Sequence, residues 1–148
     1  MKAIHLIAPC LFALALGSAA CAPTTTAAPA AAAPAADASA EGWKPVSVDD
    51  VAQKVAASEP KTFVFDCNQK ETFASGHVPK AKWLEHNKLD AAALPGEKDA
   101  TLIFYCGSEK CMASHDAAKA AHALGYSNVY VMTAGIKGWK DANKPLEK

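Results

Sequence analysis

The stretch that decides the fold is Thr101–Ala118, TLIFYCGSEKCMASHDAA, in which a strand pattern passes into a helix pattern. TLIFY is a β-branched and aromatic run typical of a buried strand, and it stops at Cys106. Helical spacing of alanines begins near Ser114. Cys106 is therefore expected at the carboxyl end of a strand, where a loop leads into a helix N-terminus.

This placement of Cys106 favours a reactive thiol. Free N–H groups and the positive end of a helix dipole stabilise an anion, so we expect a thiolate of low pKa. Such a thiolate attacks soft electrophiles, and sulfur above all. The alternative is a small buried residue at a strand end, because unpaired cysteine is among the most buried residue types.

Composition limits the partners and the chemistry. The chain has 148 residues, is 51% hydrophobic and has a formal net charge of zero, which suits one small globular domain and argues against a nucleic-acid partner. All fifteen basic residues are lysine. Without the planar fork of arginine, an anion site must use backbone N–H groups and lysine ammonium groups.

Residues 1–21 have the pattern of an export signal. Lys2 precedes an apolar run, Ile4–Leu16, that is too short to span a bilayer stably. The small residues before Cys21 resemble the lipobox of bacterial lipoproteins, which implies acylation of Cys21 and a lipid anchor in the periplasm or cell envelope. Ser18 stands where such motifs usually carry leucine, so cleavage by an ordinary signal peptidase stays open.

Residues 22–42 consist almost wholly of Ala, Pro and Thr up to about residue 40. They contain too little apolar bulk to offset the entropy of ordering. We expect a disordered tether there. The folded domain is predicted to cover residues 43–148, which is long enough for one core.

Further elements follow from periodicity. Ser47 and Asp50 form a capping-box pattern for a helix over residues 47–58. Another helix is expected to run from Ser114 to Leu124 and to end at Gly125. Buried strands are predicted at residues 62–66, 81–84, 101–105 and 128–131.

The last two strands and the helix between them predict a strand–helix–strand unit and therefore a parallel sheet. Sites in such sheets lie beyond the carboxyl ends of the strands. Asp66 and Cys67 end another strand, so we expect them at the same edge of the sheet as Cys106.

The order of these segments resembles the rhodanese (sulfurtransferase) family over residues 43–148. The resemblance implies a small, doubly wound α/β domain with a five-stranded parallel sheet and helices on both faces. The segments that carry it are FVFD at 63–66, ETFASGHVPKA at 71–81, LPGEKDATLIFYC at 94–106, the alanine-rich helix to Leu124, GYSNVYV at 125–131, GIKGW at 135–139 and Pro145.

The resemblance also implies an activity. Cys106 would accept a sulfane sulfur as a persulfide and hand it to a nucleophile such as a thiol. A small sulfur donor and a thiol acceptor are the expected partners, and we expect a monomer that needs no cofactor. Asp66, Cys67 and Asn68 are expected to be auxiliary. The substrate-binding loop would consist of Gly107, Ser108, Glu109, Lys110, Cys111, Met112, Ala113 and Ser114.

The chain departs from the family at two positions that matter for anions. The loop after Cys106 is longer by two residues and has no arginine, and Asn68 stands where the family tends to have one. Thiosulfate is therefore expected to be a poor donor unless Lys110 supplies the charge. The related phosphatases need a loop arginine, which argues against phosphatase activity.

Cys111, the second cysteine of the loop, extends the chemistry available. It could resolve a persulfide on Cys106 to a disulfide, since that step is a thiolate attack on a sulfur–sulfur bond. Such a reversible disulfide would switch transfer off. The alternatives are a purely stabilising bridge or two unpaired thiols too far apart to join.

A soft-metal site is the competing interpretation. Cys106, Cys111, Met112 and His115 form a ligand set suited to Cu(I) or zinc, with Cys67 as a further candidate, although the spacing matches no known finger. On that interpretation the domain is a non-catalytic metal- or partner-binding module on the same fold.

Overall fold

Strand β4 is the central strand of a five-stranded, all-parallel sheet in the computed structural model, which describes residues 41–148. The strand order is β1-β5-β4-β2-β3. The strands are β1 (Lys44–Pro45), β2 (Thr62–Asp66), β3 (Lys82–Trp83), β4 (Thr101–Tyr105) and β5 (Asn128–Val131). The helices are α1 (Val48–Ala57), α2 (Lys70–Ser75), α3 (Ala113–Ala123) and α4 (Gly135–Asp141), with short 3-10 turns at His86–Lys88 and Ala91–Ala93.

Helices cover both faces of this sheet, as predicted. One apolar cluster joins Phe104 of β4 to Ala117 and Ala121 of α3. The other joins Ile103 of β4 to α1 and α4, where Trp139 is almost fully buried. Since neighbouring residues of a strand point to opposite faces, an uninterrupted apolar β4 serves both clusters at once.

Helix α1 begins as its capping box predicts. Ser47 is the N-cap, and its side-chain oxygen accepts a hydrogen bond from the Asp50 N–H at 3.1 Å. The helix ends at Ala57, and Ser58 follows in the left-handed conformation with φ 51°. Gly125 likewise takes φ 92° after α3, which explains why the helix stops there.

One edge strand, β3, is shorter than periodicity suggests. The predicted buried strand over residues 81–84 is a two-residue edge strand, and its own residues Lys82 and Trp83 are exposed. Ala81 and Leu84, which flank it, are the buried ones. The expectation of a buried strand was wrong there because the buried residues flank β3 instead of belonging to it.

The predicted signal over residues 1–21, the lipidation site Cys21 and nearly all of the tether over residues 22–42 lie outside the described residues. Glu41, at the end of that tether, forms an ion pair with Lys119 of α3 at 3.0 Å and accepts a hydrogen bond from the Trp43 indole. Between residues 41 and 148, no helix has the length and apolar character required to cross a membrane.

Candidate active site

Three cysteines meet where β2 and β4 end. The two strands pair in parallel with Asp66 opposite Tyr105, so Cys67 and Cys106 leave neighbouring strands at one edge of the sheet. The Cys67 N–H donates to the Tyr105 carbonyl at 2.8 Å. Cys111, on the loop between β4 and α3, packs against the same core cluster, and all three cysteines are free thiols. The edge predicted to hold the site is thus rich in thiols.

Cys106 lies at the base of the loop, and only 1% of its surface is exposed. Its thiol donates a hydrogen bond to the Cys111 carbonyl at 3.1 Å and lies 3.4 Å from the Ser114 hydroxyl oxygen. Ser114 is in the first turn of α3, so the sulfur does lie at the helix N-terminus as the sequence suggests.

The pKa of the Cys106 thiol is nevertheless raised, so the expectation of a low pKa was wrong. Burial is the largest cause, and the interaction with the Cys111 side chain adds to it. The hydroxyl and backbone N–H of Ser114 act in the opposite direction without outweighing the two. In addition, a loop carbonyl faces the sulfur, and a carbonyl accepts a hydrogen bond from a thiol but not from a thiolate.

The pKa of the Cys111 thiol is shifted in the opposite direction. Burial opposes its ionisation, but hydrogen bonding with Cys106 and with the N–H groups of Gly107 and Ala113 holds its pKa below the ordinary value. Because the two thiols interact, they titrate as a pair.

A pocket of about 570 Å³ opens beside these thiols. Cys111 and Cys67 line it, whereas Cys106 does not. One wall is Trp83, whose indole N–H donates to the Asn68 carbonyl at 2.9 Å. The Lys70 ammonium lies 5.8 Å from the centre of the Trp83 ring. Periodicity alone did not indicate Trp83 or Lys70 as site residues, because their role comes from the edge position of β3 and the start of α2.

The pocket contains charges of both signs. Lys70 contributes the cation, while Glu71 and Glu85 contribute carboxylates. The lining also includes the amide side chains of Asn68 and Asn87. This balance does not favour a small dianion, since one lysine is set against two carboxylates.

Two of the predicted auxiliary residues, Asp66 and Asn68, are hydrogen-bonded to each other where β2 passes into the loop that borders this pocket. Asp66 is fully buried, and its Oδ1 accepts hydrogen bonds from the Asn68 N–H at 2.8 Å and from the Asn68 side-chain amide at 2.7 Å. Its Oδ2 has no hydrogen-bond partner among the described residues. Burial also raises the pKa of the Cys67 thiol, so Cys67 stays protonated. Asp66 and Asn68 are thus positioned to shape the pocket rather than to react.

Helix α4 anchors the start of the loop between β4 and α3, a feature that the sequence patterns did not indicate. The N–H groups of Ile136 and Lys137 donate to the carbonyls of Cys106 at 2.8 Å and Gly107 at 3.0 Å. Gly135 makes this approach possible, because a Cβ there would lie 2.6 Å from the Cys106 carbonyl oxygen. The signal available in the sequence was the glycine in GIKGW, which entered only through the family resemblance.

The tip of the loop faces away from the thiols. Ser108, Glu109 and Lys110 line a second pocket of about 440 Å³, together with Lys137 and Asp141 of α4. Lys110 is not part of the pocket that Cys111 lines. The expectation that Lys110 supplies the charge for an anionic donor is not supported, because the loop places Lys110 at the second pocket and not at the one that Cys111 lines.

The proposed soft-metal ligands do not form one set, because His115 and Met112 do not join the adjacent Cys106 and Cys111. The His115 ring packs edge-on against Trp43 with centroids 4.9 Å apart, and Met112 is 53% exposed. In the part of the chain that the structure describes, no three His, Cys, Asp or Glu side chains are grouped so as to hold a metal ion. The ligand set of the competing interpretation is therefore wrong in its geometry.

Comparison with known proteins agrees with the fold. The single-domain sulfurtransferase of Saccharomyces cerevisiae is similar, with a TM-score of 0.60 and 22% identity over 70% of this chain and 96% of that one. For the human single-domain sulfurtransferase the values are 0.55 and 20%, over 66% and 95%.

A third similar structure is a protein of unknown function from Rhodopseudomonas palustris, described as a possible tyrosine phosphatase. Its TM-score is 0.60 at 21% identity, over 75% of this chain and 89% of that one. At these identities the three structures establish the fold alone. The family model of the rhodanese-like domain matches residues 47–142, and the chain therefore belongs to the rhodanese-like domain family.

Proposed function

We propose that the protein is a sulfurtransferase in which Cys106 carries sulfane sulfur as a persulfide. The observation that carries this proposal is the place of the Cys106 thiol, at the carboxyl end of the central strand and beneath a loop that interacts with it. The similarity in fold to two single-domain sulfurtransferases supports the same assignment.

Burial suits a sulfur carrier. A persulfide is readily attacked by thiols in solution, and a sulfur that is 1% exposed is shielded from them. The Ser114 hydroxyl, 3.4 Å from the Cys106 sulfur, is available to hydrogen-bond a persulfide anion. The carrier cycle needs only a donor and an acceptor thiol, because sulfane sulfur moves without net oxidation of the protein.

The donor that fits best is an organic persulfide. The pocket holds one lysine and two glutamates, and arginine is absent from the chain, so a thiosulfate dianion would lack bidentate charge partners. The exposed side of Trp83 and the neighbouring amides offer apolar contact and hydrogen bonds to an organic body. A volume of about 570 Å³ also has room for such a body.

The proposal includes the cell location. An exported protein that is acylated at Cys21 would act in the periplasm or cell envelope, held by its N-terminal tether. The apolar run and the small residues before Cys21 are the support for this part.

Steady-state transfer to cyanide, followed as thiocyanate, tests the activity. We expect the full chain to accelerate transfer from glutathione persulfide above the rate without enzyme, and thiosulfate to react at least about tenfold more slowly. Cys106→Ser should lose about a thousandfold or more of that activity. Its urea-unfolding midpoint, compared with wild type, serves as the control for folding. Full activity in Cys106→Ser would overturn the proposal.

A further inference from the structure

We infer that Cys111, rather than Cys106, is the thiol that first receives sulfur from the donor, and that it passes the sulfur inward to Cys106. This inference rests on the proposed function and assigns its entry step. Its first support is exposure: Cys111 lines the 570 Å³ pocket and is partly exposed, whereas Cys106 does not line it and is 1% exposed. A donor in the pocket therefore meets Cys111.

The loop conformation provides the second support. The Cys106 thiol donates to the carbonyl of Cys111 itself at 3.1 Å, so the two cysteines are adjacent. The backbone groups of Gly107 and Ala113 favour the thiolate form of Cys111. The lowered pKa of Cys111 and the raised pKa of Cys106 agree with this division of roles.

The entry step is a substitution at sulfur. The Cys111 thiolate attacks the outer sulfur of an organic persulfide, R–S–SH. A bond forms between that sulfur and Cys111 Sγ, and the bond to the organic sulfur breaks. The leaving thiolate, R–S⁻, takes a proton from solvent, and Cys111 becomes a persulfide. No atom is oxidised or reduced overall, so no further reactant is needed.

The second step moves the same sulfur inward. Cys106 Sγ attacks the outer sulfur of the Cys111 persulfide, and its proton passes to the departing Cys111 sulfur. The products are a Cys106 persulfide and a Cys111 thiol. Attack on the inner sulfur instead would give a Cys106–Cys111 disulfide and hydrosulfide, which is the off state considered for this loop.

The lysines of the chain make the inference easy to test. Cleavage after lysine places Cys67, Cys106 and Cys111 in three separate peptides, residues 62–70, 99–110 and 111–119. The full chain is mixed with glutathione persulfide and quenched with iodoacetamide at increasing times. Mass spectrometry then locates the added sulfur on each peptide.

On our proposal, sulfur reaches peptide 111–119 first and then accumulates on peptide 99–110. Cys111→Ser should load Cys106 at least about tenfold more slowly, because the buried thiol then lacks an accessible partner. In Cys106→Ser the sulfur should stay on Cys111. Cys67→Ser is the matched variant, since it removes another thiol of the same pocket wall, and the order of labelling should persist in it.

Two results would overturn the inference. One is loading of Cys106 at the wild-type rate in a folded Cys111→Ser protein. The other needs no variant: iodoacetamide alone should alkylate Cys111 of the wild type before Cys106, and the reverse order would contradict the proposal. Failure of the underlying function is distinguishable, since peptide 99–110 would then gain no sulfur at any time, in the wild type or in Cys111→Ser.

Discussion

At the residue scale, the surroundings of the three thiols decide how each one titrates. Cys67 is 3% exposed, and burial is the largest cause of its raised pKa, with the nearby Cys106 and Asp66 adding to it. Cys111 has N–H donors within reach, and its pKa is lowered. The same side-chain type thus occupies a position that favours the neutral thiol and one that favours ionisation, at a single edge of the sheet.

The neutral position of Cys67 predicts a loss of stability at alkaline pH. A raised pKa in the folded state gives stabilisation that is complete below the pKa of the unfolded thiol, near 8.5, and is lost as pH rises through the folded pKa. In that window Cys67 alone lowers the free energy of unfolding by about 1.4 kcal/mol per pH unit. Cys67→Ala should flatten the slope by about this amount.

Urea unfolding of wild type and Cys67→Ala between about pH 9.5 and 10.5, above the pKa of the unfolded thiol, measures both slopes. The comparison uses slopes, because the smaller side chain also removes some packing at every pH. Parallel lines for the two proteins would contradict the assignment of a neutral, buried Cys67.

At the element scale, the contact between α4 and the loop that joins β4 to α3 holds the site in place. The start of α4 donates two hydrogen bonds to the backbone that follows β4, at Cys106 and Gly107. Gly135, the residue before the two donors, has φ 62° and lies so close to the loop backbone that there is no room for a side chain. The loop that surrounds the thiols is therefore held in position by a close backbone contact at Gly135, a residue with no reactive side chain.

Gly135→Ala should be much more damaging than Gly125→Ala. Both glycines have positive φ, so an alanine at either position costs about 1–2 kcal/mol of backbone strain. A Cβ at Gly125 meets nothing within 4 Å, whereas one at Gly135 would lie 2.6 Å from backbone. We expect about 1–3 kcal/mol of additional destabilisation at Gly135, together with loss of sulfur transfer.

Equilibrium unfolding of the two variants gives the difference, and Gly125→Ala is the matched control for backbone strain. Equal destabilisation would show that the loop moves aside easily and that α4 does not fix it.

The same scale shows what sequence patterns can and cannot reveal. β2, β4 and β5 were predicted with their observed bounds, because buried parallel strands are continuous apolar runs. β1 has two residues and carries no pattern of its own. The direction of the Cys111 carbonyl was equally inaccessible, since it depends on how a loop of unusual length closes over β4.

At the scale of the whole molecule, the parallel sheet concentrates chemistry at one edge. Two neighbouring strands end in Asp66 and Tyr105, and the loops that follow bring Cys67, Cys106 and Cys111 together. This edge was predictable because the ends of parallel strands are where such folds place their sites. The sequence did not allow us to predict that the loop is divided between two pockets, with Lys110 at the second one. That division depends on how α4 packs against the loop.

The most direct test of the account is the location of protein-bound sulfur at equilibrium. The full chain is treated with glutathione persulfide, freed of donor, alkylated and cleaved after lysine. We predict one added sulfur on peptide 99–110, which contains Cys106, and the loss of that signal in Cys106→Ser. If peptide 99–110 of the folded wild-type protein carries no added sulfur after this treatment, Cys106 is not a sulfur carrier and the account is contradicted.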